Sequence, residues 1–473
     1  MGNTDARLPK TETLNALPPE WPASLLPEIR TQLAAGDRKL VVLDDDPTGT
    51  QTVHGIPVLT EWSVNSLASE LQNDSSVFYI LTNSRSLPLL EAQALNAGIG
   101  RNLVQAARQS GRDFAVVSRS DSTLRGHFPG EVDALLAAIG QDVDAWLIIP
   151  FFLEGGRYTL NDTHYVAEGE WLTPAGQTEF ARDSAFGYRA SDLKAWVAEK
   201  TGGRVPSETV ASISMNDVRK GGPKTVAEKL GALEKGAVCV VNAASYRDQE
   251  VFVSGLLAAE AAGKRFIYRT AASFVQVRAG LSPRPILTQA DLAMPSEGGG
   301  LVIVGSYVPK TTSQLNSLLN QTNIRGVEIN VESLLDDARQ QAEIARVAGQ
   351  ADEALRQNED VVIYTSRKLV TVIGAEQSLS IGRRVSDSLV ALVRSISVRP
   401  RYILAKGGIT SSDVATKGLD VRRAIVAGQI LPGVPLWQLG AESRYPGVPY
   451  IVFPGNVGDE NAVASVVKAL KAH

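Results

Sequence analysis

The sequence predicts an α/β protein of two domains, each a mostly parallel sheet flanked by helices, with the active site in the cleft between them. Three observations carry that expectation. Short apolar runs alternate with longer amphipathic stretches along most of the 473 residues, the pattern of α/β layers. A proline- and glycine-rich stretch near residues 283–300 interrupts the alternation, which then resumes. Polar clusters follow several candidate strands in both halves, and in open α/β sheets ligands bind beyond the carboxyl ends of the strands.

The candidate strands of the first half are Leu40–Leu43, Val77–Leu81, Phe114–Val117 and Trp146–Ile149, spaced by about 30 residues, with room between for helices such as Leu89–Gln109. Thr209–Ile213, Val238–Val241 and Phe266–Tyr268 continue the series. Pro283, Pro285, Pro295 and Gly298-Gly299-Gly300 read as the linker. Leu301–Val304, Val361–Tyr364, Tyr402–Leu404 and Tyr450–Val452 form a second series. Ile381, Val385, Leu389, Leu392 and Ile396 share one helical face, as do Val463, Val466, Val467 and Leu470. The expected domains are 36–290 and 298–473, after an N-terminal extension of residues 1–35.

Composition narrows the function. Hydrophobic residues make up 44% and charged residues 21%, which excludes disordered, collagenous and coiled-coil proteins. With 47 basic against 51 acidic side chains there is no positive surplus to follow a nucleic-acid backbone. Apolar runs such as Leu147–Leu153 are far shorter than the roughly 18 residues a bilayer span needs. Met1–Trp21 is polar and proline-rich, unlike a signal peptide, and Ala6 stands where a myristoylation signal needs Ser or Thr. Cys239, the one cysteine, lies in an apolar run and reads as a buried inert thiol. Four histidines and one cysteine leave no Cys/His metal site. The expectation is a cytoplasmic enzyme handling a small acidic or phosphorylated metabolite, with no nucleic-acid or membrane partner; self-association is left open.

Leu43-Asp44-Asp45-Asp46-Pro47-Thr48-Gly49-Thr50 follows the first strand. A plain turn is one reading, since all these residues after Leu43 are turn formers. Three adjacent carboxylates repel one another unless a cation or donors compensate, which favours a site. A dinucleotide fold would carry Gly-x-Gly-x-x-Gly here, and clustered carboxylates would repel its pyrophosphate. They suit removal of a hydroxyl proton or the holding of Mg²⁺. Thr82-Asn83-Ser84-Arg85 follows the second strand, and Ser118-Arg119-Ser120-Asp121-Ser122-Thr123-Leu124-Arg125-Gly126-His127 the third. Alone, either reads as Asp–Arg pairs on a solvated loop. Three polar clusters at three successive strand ends point instead to one pocket for a small, hydroxyl-rich anion, since arginine binds a carboxylate through two parallel hydrogen bonds. Glu154-Gly155-Gly156-Arg157-Tyr158-Thr159 forms a fourth segment, with His164 in the polar loop beyond as a base, a substrate contact or an incidental residue.

The second half carries small-residue strand ends: Val304-Gly305-Ser306, Lys406-Gly407-Gly408-Ile409-Thr410 leading into Ser411-Ser412-Asp413, and Phe453-Pro454-Gly455-Asn456-Val457-Gly458. Each alone could be an ordinary turn. Three in one domain favour a nucleotide-phosphate site, with backbone amides close to the ligand. No Walker P-loop is present.

These segments, in this order, resemble the four-carbon acid sugar kinase family. The resemblance rests on Asp45-Asp46-Pro47-Thr48-Gly49, Thr82-Asn83-Ser84-Arg85 and, most specifically, Arg119-Ser120-Asp121-Ser122-Thr123-Leu124-Arg125-Gly126. In the second half it rests on Gly305-Ser306, Gly407-Gly408-Ile409-Thr410 and Gly455-Asn456-Val457-Gly458, and it runs from about residue 40 to the C-terminus. It implies ATP-dependent phosphorylation of threonate, erythronate or an oxo-tetronate at the terminal hydroxyl, with Mg²⁺. Residues 36–290 would bind the sugar acid and 298–473 the nucleotide. Substrate contacts would fall on Asp45, Asp46, Arg85, Arg119, Ser120, Asp121 and Ser122, and nucleotide contacts on Ser306, Gly407, Gly408, Ile409, Thr410 and Gly455. Asp45 or Asp46 would accept the hydroxyl proton, while Arg85, Arg119 and Arg125 hold the carboxylate. The chain departs from the family at Phe453-Pro454, where many members have Lys-Ser, so Lys406 is a candidate to neutralise phosphate, and at His127, where Asn is common. The competing readings are a non-catalytic sensor of sugar acid and ATP, and a hydroxy-acid oxidoreductase.

Overall fold

The computed structural model describes residues 6–292, 294–295, 297–306, 308–367, 375–455 and 457–471, with 375–380 as backbone alone. Two compact units emerge: Met1–Pro57 with Glu61–Pro283, and Val58–Thr60 with Arg284–His473.

The first unit contains strands β1 (Arg38–Asp44), β2 (Val77–Leu81), β3 (Asp113–Arg119), β4 (Ala145–Ile149), β5 (Arg157–Leu160), β6 (Thr163–Glu168), β7 (Trp171–Pro174), β8 (Ala211–Ile213), β9 (Ala237–Val241) and β10 (Phe266–Thr270). Seven of them lie in the order β8-β9-β4-β10-β3-β1-β2, every neighbouring pair parallel. Helices cover both faces of such a sheet, which is why its strands read as unbroken apolar runs rather than as alternation; Val41, Val42, Leu147 and Ile148 are fully buried. The chain leaves β1 on one side for β2 and returns to the other side for β3. The strand order therefore reverses at β1, and a crevice opens at its carboxyl end.

Four helices matter here: α1 (Leu26–Ala35), α2 (Leu89–Ser110), α3 (Gly130–Ile139) and α4 (Tyr246–Ala261). Serine caps α4 in a reciprocal capping box, Ser245 with Asp248, and Asp248 also takes both prongs of Arg219 at 2.8 and 3.0 Å. Residues 8–35 are strapped onto this unit. Leu8–Pro9 pairs with β7, Ile29 of α1 is fully buried, and Arg30 Nε donates to the Gly280 carbonyl at 2.7 Å.

Strands β5, β6 and β7 form an antiparallel sheet that the apolar-run criterion misses. Asn161 and Asp162 between β5 and β6 have φ of 49° and 65°, the two left-handed residues of a type I′ hairpin, so the signal was Asn-Asp itself. His164 consequently sits on a strand and is fully buried, not in a polar loop. The strand expected from Thr209 starts only at Ala211, because Thr209 closes a turn on the Pro206 carbonyl through both N–H and Oγ1, at 3.0 and 2.7 Å.

The second unit contains β11 (Leu301–Val304), β12 (Arg325–Ile329), β13 (Val361–Thr365), β14 (Ile403–Lys406), β15 (Arg423–Leu431), β16 (Val434–Leu439) and β17 (Pro449–Phe453), in the order β15-β16-β17-β14-β11-β13-β12. The pairs from β17 to β12 are parallel, and β15-β16-β17 pair antiparallel. Here the order reverses at β11. Helices α5 (Pro309–Gln321), α6 (Gln340–Arg356), α7 (Ala375–Ser395), α8 (Gly408–Asp413) and α9 (Ala462–Leu470) complete it. Leu389 and Leu392 of the expected α7 face are buried, and so is Ile396 just beyond the helix.

A further expectation is corrected. The Gly298–Gly300 stretch is not a free linker, because Gly299 and Gly300 are buried and hydrogen-bonded into the second unit. Arg401 N donates to Gly299 O and Val361 N to Gly300 O, both at 2.9 Å. A side chain on Gly299 would meet the Glu359 carbonyl, and one on Gly300 the Tyr402 ring. These glycines are close-approach residues.

Candidate functional site

The carboxyl end of β1 delivers Asp44, Asp45 and Asp46 side by side, and each carboxylate has its own partner. Arg119 Nη1 at the end of β3 donates to Asp44 Oδ1 at 3.0 Å. Ser120 Oγ donates to Asp45 Oδ2 at 2.5 Å. Arg85, beyond β2, pairs with Asp46, which also accepts from Thr48 N at 2.9 Å and caps the short turn Pro47–Thr50. The repulsion expected of the triplet is thus met by donors from the two flanking strands. Burial pushes the Asp44 carboxyl up to about 7 against the pull of Arg119. At Asp46 burial acts the same way, but Arg85 and Thr48 outweigh it and hold the pKa below the usual range. Two buried oxygens keep no hydrogen-bond partner: Asp44 Oδ2 and Asp45 Oδ1.

Charge alternates outward from this point. Arg85 lies 3.7 Å from Asp45 and 3.8 Å from Asp121. Arg125 Nε meets Asp121 at 2.8 Å, and Arg125 Nη1 meets Asp183 at 3.5 Å. Burial disfavours the Asp121 carboxylate, yet Arg85 and Arg125 hold its pKa well below normal. Arg85 and Arg125 therefore sit at the crevice, while the Arg119 side chain is sealed at 5% exposure beneath Asp44.

The loops carrying these residues are held in uncommon conformations. Asn83 and Leu124 have φ of 51° and 70°, and Gly126 has φ of 123°. A left-handed residue such as buried Leu124 costs about 1–2 kcal/mol and persists only where surrounding contacts fix it. The contacts are buried donors on the underside of the Ser120–Arg125 loop. Arg269 of β10 donates to the carbonyls of Asp121 and Arg125 at 3.0 and 2.9 Å. His164 Nε2 binds the Ser122 carbonyl at 2.8 Å, and Tyr188 OH the Thr123 carbonyl at 2.7 Å. Burial drives the His164 pKa down to about 4, so it is a neutral imidazole that donates through Nε2 and takes the Thr159 hydroxyl at Nδ1. It supports the loop from below. His127 Nε2 likewise holds the Leu87 carbonyl at 2.9 Å.

Glu131, in the first turn of α3, belongs to none of the polar clusters at the strand ends. It is 5% exposed and accepts from Asn96 Nδ2 at 3.1 Å. Burial, and after it the charge of Asp45, pushes its pKa up to about 7. An acidic residue at a helix start looks like ordinary capping, so only the fold reveals it.

In the second unit the expected segments gather at the reversal point. Ser306 follows β11, Gly407 to Thr410 follow β14, and Gly455 follows β17. Asn456 lies outside the described residues. Gly407 has φ of 109°, and a side chain on Gly305 would lie 2.8 Å from Thr410 Oγ1, so these two tips are in contact. Gly408 opens α8, Ile409 is 64% exposed, and a Cβ on Gly455 would meet nothing within 4 Å. Lys406 does not present its ammonium to this surface. It is 1% exposed and donates to the carbonyls of Pro454 and Gly455 at 2.9 and 3.2 Å, with the Phe453 ring 4.6 Å away. Gln314 of α5, fully buried, donates to the carbonyls of Val457 and Asp459 at 3.0 and 2.7 Å. Arg367, past β13, donates to the Ser306 carbonyl at 2.6 Å. The Gly455 loop is therefore fastened through its carbonyls, as the Ser120–Arg125 loop is.

Two α/β units, one with a carboxylate–arginine cluster and one with small-residue tips at a strand-order reversal, form the arrangement expected of a two-domain kinase. Comparison with known proteins agrees. A sugar-binding N-terminal domain model matches residues 40–278 and a nucleotide-binding C-terminal domain model residues 301–463. The chain belongs to the four-carbon acid sugar kinase family. It is 26% identical to a D-erythronate kinase of Heliobacterium modesticaldum, over 91% of this chain and 97% of that one. A 3-oxo-tetronate kinase of Cupriavidus necator is also 26% identical, over 76% and 80% of the two chains. A D-threonate kinase of Bordetella bronchiseptica is 22% identical over 91% and 97%. Among solved structures, a Haemophilus influenzae protein superposes with a TM-score of 0.62 at 18% identity, covering 91% of this chain and 99% of its own. A Salmonella typhimurium protein gives 0.64 at 16%, covering 91% and 98%. Both share the fold. Among the described residues no helix is long and apolar enough to cross a membrane.

Proposed function

We propose that this kinase transfers the γ-phosphoryl group of ATP to the terminal hydroxyl of a four-carbon sugar acid of the erythronate, threonate or oxo-tetronate type, giving the 4-phosphate, in the cytoplasm. The observation that carries the reading is Asp45 Oδ1, a buried carboxylate oxygen without a hydrogen-bond partner at the strand-order reversal. Asp45 takes the hydroxyl proton while the hydroxyl oxygen bonds to the γ-phosphorus. The bond to the bridging oxygen breaks and ADP leaves. Such transfers rest on positioning and electrostatics more than on covalent chemistry. Ser120 orients Asp45, Asp46 anchors Arg85, and Arg119 fixes Asp44 from beneath. Asp121, Ser122 and Arg125 bound the pocket for the acid.

The nucleotide falls to Ser306, Gly407, Gly408, Ile409, Thr410 and Gly455 of the second unit, supported by the contact between the Gly305 and Thr410 tips. Mg²⁺ would neutralise phosphate charge. The ion is proposed to enter as Mg–ATP.

The test is ADP release from Mg–ATP against the stereoisomers of erythronate, threonate and 3-oxo-tetronate, with no-acid controls and identification of the phosphorylated carbon. Acid-dependent ADP release with phosphate on C4 is the expected result. Release equal to the control for every acid overturns the proposal.

A further inference from the structure

The alternating row of charges in the first unit ends beside a cation that has no ion-pair partner among the described residues. Asp46 is followed by Arg85, Arg85 by Asp121 and Asp121 by Arg125, each in ion-pair distance of the next. Beside Arg125 stands Arg157. Both guanidinium carbons lie over the ring of Phe180, at 5.2 and 5.3 Å from its centroid. Arg125 has Asp121 and Asp183; among the described residues no carboxylate pairs with Arg157. Its Nη1 reaches only the carbonyl of Gly155 in its own turn, and its Nε is buried without a hydrogen-bond partner. Arg269, the other guanidinium here without an acid, spends its Nη groups on two loop carbonyls.

The backbone of Arg157 is fixed. Arg157 N donates to Phe152 O at 2.8 Å and Phe152 N to Arg157 O at 3.1 Å, closing a tight turn through Gly156 at φ 70°. A half-buried guanidinium resting on the Phe180 ring that it shares with a second arginine is poised for an anion, and its planar fork matches a carboxylate. Burial lowers its pKa; attraction to Asp121 opposes the shift and repulsion from Arg125 adds to it.

We propose that Arg157, with Arg125 beside it, binds the carboxylate of the sugar acid and so makes the enzyme select acids over neutral polyols. This rests on the sugar-acid kinase reading above. The arginines expected from sequence to hold that carboxylate each carry an aspartate already, which leaves Arg157 as the open receptor. The acid would then lie with its carboxylate at Arg157 and its terminal hydroxyl toward Asp45.

The test compares D-erythronate and D-threonate with their neutral amides, in the wild type and in Arg157→Gln. The variant is expected to raise KM for the acid at least 30-fold, with kcat within about threefold, and to bring the acid-to-amide ratio of kcat/KM close to one. A merely structural role would depress acid and amide alike and keep the ratio, which overturns the proposal. Where Arg157→Gln does not fold, Arg157→Lys carries the test: it keeps charge but loses the fork, and a ratio lowered severalfold supports the proposal while an unchanged ratio sinks it. If the wild type phosphorylates neither acid, the kinase assignment for these substrates fails. Calorimetric binding of the two acids then decides on Arg157: binding abolished by Arg157→Gln upholds it, and equal or absent binding in the wild type and variant rejects it.

Discussion

Ser120 Oγ donates to Asp45 Oδ2 at 2.5 Å, tying the loop beyond β3 to the loop beyond β1. The bond occupies one oxygen of Asp45 and leaves Oδ1 without a hydrogen bond, with Arg85 Nη1 3.7 Å away. Asp46, one residue on, has no such freedom, since Thr48 and Arg85 saturate it. Asp45→Asn is therefore expected to lower kcat by about 10²–10⁴, the usual worth of a general base, with KM for ATP little changed. Asp46→Asn acts through Arg85 and should cost about tenfold. Steady-state kinetics of the two variants decides; equal losses would remove the distinction between base and anchor.

Gly126 enforces that bond sterically. At φ 123° it occupies a region L side chains avoid, and a Cβ there would sit 2.5 Å from Ser120 Oγ and 3.2 Å from Asp45 Oδ2. Gly126→Ala is expected to lower kcat at least 100-fold and to destabilise the fold by about 1–3 kcal/mol, the range for overpacking. Urea denaturation and kinetics on the same variant test both parts. Wild-type turnover would show that Ser120 does not need its observed position.

How far the sequence reached can be read from particular residues. Buried parallel strands such as β2 were legible because both faces are apolar, and the Asp44–Asp46 triplet because mutual repulsion demands an explanation. The support beneath the site was not. Arg269 lies about 150 residues from the carbonyls it binds, and only the adjacency of β10 and β3 brings them together. His164 looked like a loop residue because the Asn161-Asp162 turn was not read as a hairpin. In the second half, Gly299 and Gly300 carry linker composition but are there because the chain passes against Glu359 and Tyr402. Composition does not distinguish a flexible glycine from a crowded one.

Glu131 makes stability depend on pH with a definite sign. Its folded pKa of about 7 lies above the 4.5 of an exposed glutamate, so the folded protein holds this proton more tightly. The stabilisation is complete below about 4.5, declines as pH rises, and is lost above about 7. Glu131→Gln imitates the protonated form. It should match the wild type near pH 4.5 and exceed its stability at pH 8 by up to ~3 kcal/mol, from 1.36 kcal/mol per pKa unit. Urea denaturation at the two pH values checks this, and a variant less stable than the wild type at pH 8 would mean that the ionised carboxylate is the form the fold uses.

Lys406 separates two ways of using a lysine beside a phosphate loop. If its charge acted on the transferring phosphoryl group, removing it would depress kcat by 10² or more, as for other electrostatic donors. The geometry gives it another task. Its ammonium faces the carbonyls of Pro454 and Gly455, buried under the loop, and burial, then Lys310, brings its pKa down to about 8. Lys406→Met keeps the length and apolar packing of the stem but frees the two carbonyls. The loop should loosen, raising KM for ATP about tenfold, while kcat stays within a few-fold and KM for the sugar acid is unaffected, the pattern of lost binding rather than lost transition-state stabilisation. Gln314→Leu, which frees the carbonyls of Val457 and Asp459 in the same loop, should reproduce that pattern without touching any charge. A collapse of kcat in Lys406→Met alone would return the lysine to the phosphate, whereas parallel KM effects in both variants assign it to the loop.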